Sequence, residues 1–271
     1  MATRLSKDLQ DDLLDTAHAL ADAARKVILP YFRSPDLLAD NKRPAGFDPV
    51  TAADRASEQA MRALLARLRP GDAILGEEFG ASDGTSGLTW VLDPIDGTRA
   101  FLSGTPTWGV LIAVADADGP LLGLIDQPYV GERFVGCGTL AQMTGPLGER
   151  PLATRRARPL DAAILFSTFP EVGTEAECAA FHDLASRTRL TRYGTDCYAY
   201  ALVAAGQIDL VVEAGLQPYD VMAPIALIGA AGGVVTDWQG GPAHHGGRIL
   251  AAANRDIHKA ALAILRQAPA P

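Results

Sequence analysis

Apolar residues Leu9, Leu13, Ala17, Leu20, Ala24, Val27 and Tyr31 step by three or four positions, so the chain opens on a long amphipathic helix ending near Pro30. From Arg33 to Pro49 the pattern turns polar and broken, through Asn41, Lys42, Arg43, Pro44 and Gly46. That is a long loop, of the kind that often serves as a lid. Thr51 followed three residues later by Asp54 reads as a capping box with Asp in the usual Glu position. It opens a second helix with Met61, Leu64, Leu65 and Leu68 on one face.

Short apolar runs come next. Ala73 to Leu75 ends at Gly76-Glu77-Glu78, and Trp90 to Leu92 ends at Asp93, with a small-residue loop from Gly80 to Gly87 between them. Val110–Ala115 and Leu121–Ile125 flank Asp118-Gly119, a hairpin signal lengthened by Pro120, and Phe134-Val135 adds a strand. After Pro151 the rhythm changes to strand Ile164–Ser167, helix Ala176–Ser186, helix Cys197–Ala205, strand Ile208–Val212, helix Val221–Ala231, strands Val234–Thr236 and Ile249–Ala252, and helix Arg255–Arg266. The expected fold is one mixed α/β domain without repeats. It divides into an α+β half to about residue 150, an α/β half from about 151 to 266, and a frayed tail from Gln267 to Pro271.

Composition narrows the class. At 271 residues and 48% hydrophobic content the chain can bury a full core, and 27 glycines with 18 prolines are too few for a low-complexity chain. A net charge of −8, without a basic stripe, removes the electrostatic footprint of a nucleic-acid binder. Three cysteines without CxxC spacing argue against a disulfide framework or a structural zinc site. The first residues carry Lys7, Asp8, Asp11, Asp12 and Asp15 in place of the apolar core of a signal peptide. No apolar run reaches the roughly 18 residues of a membrane span, so a cytoplasmic protein with no membrane partner is expected.

The chemistry concentrates where strands end. In Asp93-Pro94-Ile95-Asp96-Gly97-Thr98, Asp93 follows an apolar run, Pro94 removes an amide donor and forces a turn, and Gly97 permits close backbone approach before a short helix. Alone, such a string reads equally as an Asx-turn capping a helix. Glu77-Glu78 alone would be solvated surface, and Asp220 before Val221–Ile228 alone a helix cap. Together these carboxylates would repel one another unless cations lie among them. Oxygen donors without His or Cys select Mg²⁺ or a similar ion, and a pair of such ions can activate water against a phosphate ester.

With those residues, Gly76-Glu77-Glu78, Trp90-Val-Leu-Asp-Pro-Ile-Asp-Gly-Thr98, Tyr219-Asp220 and Gly229-Ala-Ala-Gly-Gly233, the chain resembles the inositol monophosphatase family of Mg²⁺-dependent phosphomonoesterases, in order from about Asp15 to Ile264. The resemblance implies a five-layer αβαβα sandwich, a single catalytic phosphatase domain and a homodimer. It implies Glu77, Asp93, the Ile95 carbonyl, Asp96 and Asp220 as metal ligands, with a third ion near Glu77 and Glu78, so two or three Mg²⁺ (or Mn²⁺) per site. Thr98 and Asp54 would orient the attacking water, beside Glu77. The backbone from Ile95 through Gly97 and Thr98 would hold the phosphate, and Lys42 and Arg43 would lie on a mobile closing segment.

Within that family, Arg99-Ala100-Phe101, Tyr193-Gly-Thr-Asp-Cys-Tyr-Ala-Tyr200, Glu213-Ala-Gly-Leu-Gln-Pro-Tyr-Asp220 and Gly123-Leu-Ile-Asp-Gln-Pro128 are similar to the histidinol-phosphate phosphatases. Thr195 departs from the Gly expected there. The implied substrate is L-histidinol phosphate, whose ammonium and imidazole suit an anionic pocket. Asp196 and Glu213 could supply that field, and Arg192 could reach the phosphate. For Asp196 the competing reading is an ordinary helix N-cap, and for Arg192 a surface strand end. Inositol phosphatase or bisphosphate nucleotidase activity is the alternative within the family. A non-catalytic metal- and phosphate-binding regulator is the alternative outside it. Trp90, Trp108 and Trp238 are expected in the core, Cys197 as packing, and His244-His245 as a solvated loop.

Overall fold

The computed structural model describes residues 5–35, 39–41 and 49–268, so Lys42 and Arg43 lie outside the described residues. Helix α1 (Lys7–Ile28) buries Leu13, Ala17, Leu20 and Ala24 along one face, as the spacing predicts, with Ile28 buried in place of Val27, while Leu9 and Tyr31 are half-buried. The segment read as a loop contains a short antiparallel ladder of β1 (Ala39–Asn41) and β2 (Pro49–Thr51). Helix α2 (Ala52–Leu68) starts at the Thr51–Asp54 capping box and buries Met61 and Leu65. Leu68, in its last turn, is 46% exposed rather than on the buried face.

An eight-stranded sheet follows. It comprises β3 (Ala73–Gly76), β4 (Gly80–Ser82), β5 (Thr89–Asp96), then, after helix α3 (Thr98–Leu102), β6 (Gly109–Asp116), β7 (Gly119–Gln127), β8 (Glu132–Cys137), β9 (Leu140–Gly145) and β10 (Gly148–Pro151). Its order is β10-β9-β8-β7-β6-β5-β3-β4, antiparallel except where β3 runs parallel to β5. The second half supplies β11 (Ile164–Ser167), α4 (Glu175–Ser186), β12 (Leu190–Tyr193), α5 (Asp196–Ala204), β13 (Leu210–Leu216), α6 (Pro218–Ala230), β14 (Val234–Thr236), β15 (Gly247–Ala252) and α7 (Arg255–Leu265). Its five strands order as β12-β11-β13-β15-β14. Strands β4, β9, β10 and β12 escape the sequence pattern because they lie at or near sheet edges and lack an alternating apolar face.

Strand alternation sorts the core into layers. Trp90, Leu92, Val110, Ile112, Val114, Leu122 and Leu124 face α1 and α2. Val91, Leu111, Ala113, Ile125 and Phe134 face the opposite way, onto α5 and α6, where they meet Phe166, Val211, Ile249 and Ala251 of the second sheet. Leu165, Leu210, Val212, Leu250 and Ala252 face out to α4 and α7. The result is a five-layer αβαβα sandwich. All three tryptophans are fully buried. Ala268 is 5% exposed and packs in the outer layer, so the tail stays docked at least that far.

Two features of this framework place the site. Gly123 and Gly136 are register partners on β7 and β8, and α6 crosses them closely. A Cβ at Gly123 would stand 2.1 Å from the Ala223 carbonyl oxygen, and one at Gly136 2.5 Å from Leu227 Cα. Among the described residues no helix is long and apolar enough to cross a membrane.

The outer layer carries a buried ion pair, Glu177 Oε1 to Arg248 Nε at 2.6 Å. Burial alone would raise the Glu177 pKa, but the Thr174 amide and Arg248 outweigh it and hold the carboxyl below its ordinary 4.5. Because the folded-state pKa is the lower one, this stabilisation is complete above about pH 4.5 and is lost as pH falls through the folded value. Glu177→Gln is expected to cost about 1.5–3 kcal/mol at pH 7. In urea titrations the gap to wild type should close as the pH drops below about 4.

Candidate metal and substrate site

Parallel pairing of β3 with β5 aligns Gly76 with Leu92, and the Glu77 amide donates to the Leu92 carbonyl at 3.1 Å. Glu77 therefore sits beside Asp93 at one edge of the sheet. Simple alternation would put Asp93 and Asp96 on opposite faces, being three residues apart. The register between β5 and β6 shifts between those two residues: Asp93 opposes Leu111 and Asp96 opposes Gly109. This bulge contains Pro94, which has no amide to give the ladder. Instead of ending the strand in a turn, as the sequence suggested, Pro94 lies within it. Ile95 returns to the α1–α2 face while Asp93 and Asp96 both meet Asp220 on the central side.

Asp93, Asp96 and Asp220 each bring a carboxylate oxygen within 4.8 Å of the others. Local amides hold them: Ile95 N donates to Asp93 Oδ1 (3.0 Å), Cys197 N at the start of α5 to Asp96 Oδ2 (2.6 Å), and Gln217 N before α6 to Asp220 Oδ2 (2.7 Å). Helix N-termini favour negative charge, yet burial and crowding dominate. Burial, then Glu77, Asp96 and Asp220, push Asp93 well above the usual carboxylate range. Burial, then Asp196 and Asp220, do the same to Asp96. Such a cluster of hard oxygen donors, costly when every member is charged, fits divalent cations.

Asp54 is a further buried carboxylate, acted on by Glu77. Its Oδ2 accepts from Thr51 N (2.9 Å) and Thr51 Oγ1 (2.5 Å), completing the helix cap, while buried Oδ1 has no hydrogen-bond partner among the described residues. Burial, opposed by the Thr51 hydrogen bonds and helped by Glu77, raises its pKa to about 6. The Thr98 hydroxyl donates to the Ile95 carbonyl at 3.2 Å. Gly97, at φ 87°, precedes α3.

Asp196 is not an N-cap. It is the first residue of α5, at φ 43°, a left-handed conformation costly for a side-chain-bearing residue. Its carboxylate accepts from Thr107 Oγ1 (3.3 Å) and leaves no room for a Cβ on Gly97, which would stand 2.7 Å from Asp196 Cγ. Thr195, at φ −115°, needs no glycine. Buried Glu213 accepts from Thr168 N (2.9 Å), Thr168 Oγ1 and Tyr200 OH (2.7 Å), so it fixes the loop after β11. Asp96, Asp196, Glu213 and Asp220 line one cavity of about 240 Å³. Arg192 is exposed on the edge strand β12, outside the cavity walls. Burial raises the Cys197 thiol well above its ordinary pKa, in keeping with packing rather than nucleophilic chemistry. The His244 and His245 rings pair with each other at 4.2 Å, near Gly119 and away from the carboxylates.

Sequence reasoning missed Glu58. Fully buried on α2, it accepts from Glu78 N (2.7 Å), Phe79 N (3.3 Å) and Arg62 Nε (2.7 Å), and so carries the Glu77-Glu78 turn. Gly76 must lack a Cβ, which would stand 1.9 Å from Glu58 Oε1. The signal was present: Asp54, Glu58, Met61 and Leu65 share one helical stripe, and acids do not belong on a buried stripe without a reason.

The sequence pattern of the inositol monophosphatase family matches residues 9–270. The chain belongs to that family. The bifunctional phosphatase IMPL2 of Arabidopsis thaliana is 38% identical over 94% of this chain and 76% of its own length. A histidinol-phosphatase of Streptomyces coelicolor is 35% identical over 96% and 98%. The solved structure of an inositol monophosphatase from Zymomonas mobilis superposes with a TM-score of 0.84 at 40% identity, covering 97% of this chain and all of that one. The family comprises metal-dependent phosphatases, and the acidic cluster is a group able to hold metal.

Glu58→Gln should leave the fold intact but loosen the Glu77-Glu78 turn. The expected outcome is a rise of about tenfold in the divalent-cation concentration for half-maximal phosphatase activity, the scale of losing an outer supporting partner. An unchanged activation curve would reduce Glu58 to packing.

Proposed function

We propose that this chain is a Mg²⁺-dependent phosphomonoesterase that hydrolyses L-histidinol phosphate to L-histidinol and phosphate. The observation that carries the reading is the sign of the cavity. It opens from Asp96 and Asp220 and is walled by Asp196 and Glu213; no Lys, Arg or His is among its described lining residues, and Arg99, which stacks on the wall residue Phe169 and acts on Asp196, is one cation set against four carboxylates. A leaving group bearing an ammonium and an imidazolium is stabilised there, whereas an uncharged polyol gains nothing from the field. A relative named histidinol-phosphatase, matched over nearly both full lengths, supports the same reading. The alternative, a polyol phosphate, is supported by the likeness to the Zymomonas mobilis inositol monophosphatase.

In this mechanism Glu77, Asp93, the Ile95 carbonyl, Asp96 and Asp220 would hold the metal ions, with Glu78 beside them. Bound Mg²⁺ supplies the positive charge that activates water and stabilises the leaving oxygen of a phosphate ester. Thr98 and the remaining oxygen of Asp54 would orient the attacking water, and the Asp54 carboxylate would take its proton. The Gly97 and Thr98 amides, at the start of α3, hold the phosphate oxygens. Asp196, packed on Gly97, faces the alcohol side and holds the substrate's ammonium by a charge-assisted hydrogen bond.

Asp93→Asn is expected to lower kcat by more than about a hundredfold, beyond the usual cost of losing an outer supporting partner, with the circular-dichroism spectrum unchanged. EDTA should abolish activity and added Mg²⁺ restore it. Wild-type-like turnover in the variant would remove this mechanism.

Asp196→Ala tests the substrate. Phosphate release should show KM for L-histidinol phosphate raised roughly tenfold or more, the scale of a charged hydrogen bond, with KM for myo-inositol 1-phosphate nearly unchanged. Equal effects on both substrates would favour the polyol reading.

A further inference from the structure

We propose that Phe169 and Glu171, on the loop between β11 and α4, form a subsite for a flat cationic group on the alcohol side of the substrate. The inference rests on the reading of this chain as a phosphatase for a cationic ester. It adds the residues that would read the ring.

Phe169 is 44% exposed, belongs to none of the three buried clusters, and lines the same cavity as Asp96 and Asp220. An aromatic ring left at a cavity wall is available for contact rather than for core packing. One face already carries a planar cation, the Arg99 guanidinium carbon lying 4.9 Å from the ring centroid, so a substrate cation takes the other face or displaces Arg99. Arg99 belongs to α3, immediately after the acidic motif, so a flat cation and this ring meet within reach of the phosphate end of the site. Such a contact is attraction between a cation and the ring quadrupole, and it strengthens when water is excluded. Glu171, exposed on the same loop and lining the same cavity, supplies a carboxylate for the N–H edge of a planar cation.

The loop is held before any ligand arrives. Glu213 accepts from Thr168 N (2.9 Å), Ser167 Oγ donates to the Phe169 carbonyl (3.1 Å), Cys178 Sγ donates to the Pro170 carbonyl (3.6 Å), and Val172 is buried. A pre-ordered wall loses little entropy on binding. Glu213 therefore acts as a positioning residue, since its oxygens are taken by Thr168 and Tyr200. Glu171 is the carboxylate at the outer end of the cavity. An imidazolium satisfies both partners, one with its face and one with its edge; a polyol satisfies neither.

The test uses the full chain with Mg²⁺ and three esters: L-histidinol phosphate, O-phosphoethanolamine (an ammonium without a ring) and myo-inositol 1-phosphate. Phe169→Leu and Glu171→Gln should each raise KM for L-histidinol phosphate by roughly five- to thirtyfold, the range for a desolvated cation–ring or charged contact. Values of kcat, and KM for the two ringless esters, should stay within about twofold, the scatter of a bystander substitution. Phe169→Tyr, which keeps the ring face, should behave as wild type. If the wild type turns over L-histidinol phosphate and neither variant shifts its KM, the subsite is overturned while the proposed function stands. Equal KM increases on all three esters would make the loop structural and overturn the subsite. No turnover of L-histidinol phosphate by the wild type would overturn the proposed function, and the subsite with it.

Discussion

The structure depends on gathering carboxylates that repel one another. Asp93, Asp96 and Asp220 come within 4.8 Å, with Glu77 and Asp196 acting on them from either side. In a chain free to relax, these groups would separate or take up protons. Here the backbone prevents separation. A bulge in β5 turns two aspartates three residues apart to one face, a parallel strand sets Glu77 beside them, and α6 brings Asp220 from the other half. Amides at the starts of α5 and α6 absorb part of the charge, and the rest is a standing demand for cations.

Much of the remaining architecture meets that demand at a distance. The glycines at 123 and 136 make the groove in which α6 lies, so the first sheet and the second half share one central layer. Glu58, buried beneath the Glu77-Glu78 turn, and Thr107, beneath Asp196, hold acidic groups from behind with hydrogen bonds. The positive φ of Asp196 belongs to the same pattern. A residue strained in the left-handed region persists because its side chain fits the space that Gly97 leaves open. The second half then closes the cavity with the loop after β11, so one half contributes most of the acidic cluster and the other most of the cavity wall.

The helices were legible from spacing because each buries one stripe against one neighbour: α1, α2 and α7 follow directly from their apolar positions. Central strands were legible for the same reason. Edge strands were not, since β4 and β10 are exposed along their length and β12 nearly so, and none carries a periodic signal. Among site residues, Asp93 and Asp220 could be named because each adjoins an apolar run, Glu77 because it follows one across Gly76, and Asp96 because it shares the Asp93–Gly97 turn. Spacing alone showed Asp54 only as a cap, because a capping box and a second role leave the same letters; its role beside the water came from the family resemblance. Glu58 went unread because the acid it contributes to a helical stripe looks like surface until its burial is known.

By itself the sequence determined the order of the family's motifs, the mixed α/β class and a set of candidate oxygen donors, because these depend on local patterns of burial, turn and charge. Only the tertiary structure decided which of those donors meet. Sidedness on β5 turns on one extra residue in a ladder, and no residue-by-residue reading can count a bulge that exists only against its partner strand. The tertiary structure likewise freed Asp196 from capping and committed Glu213 to holding a loop. It also set Phe169 and Glu171 on the wall of the same cavity as residues nearly fifty and more positions away. Long-range juxtaposition follows from packing five layers around one central core, and that is a property of the whole chain rather than of any segment.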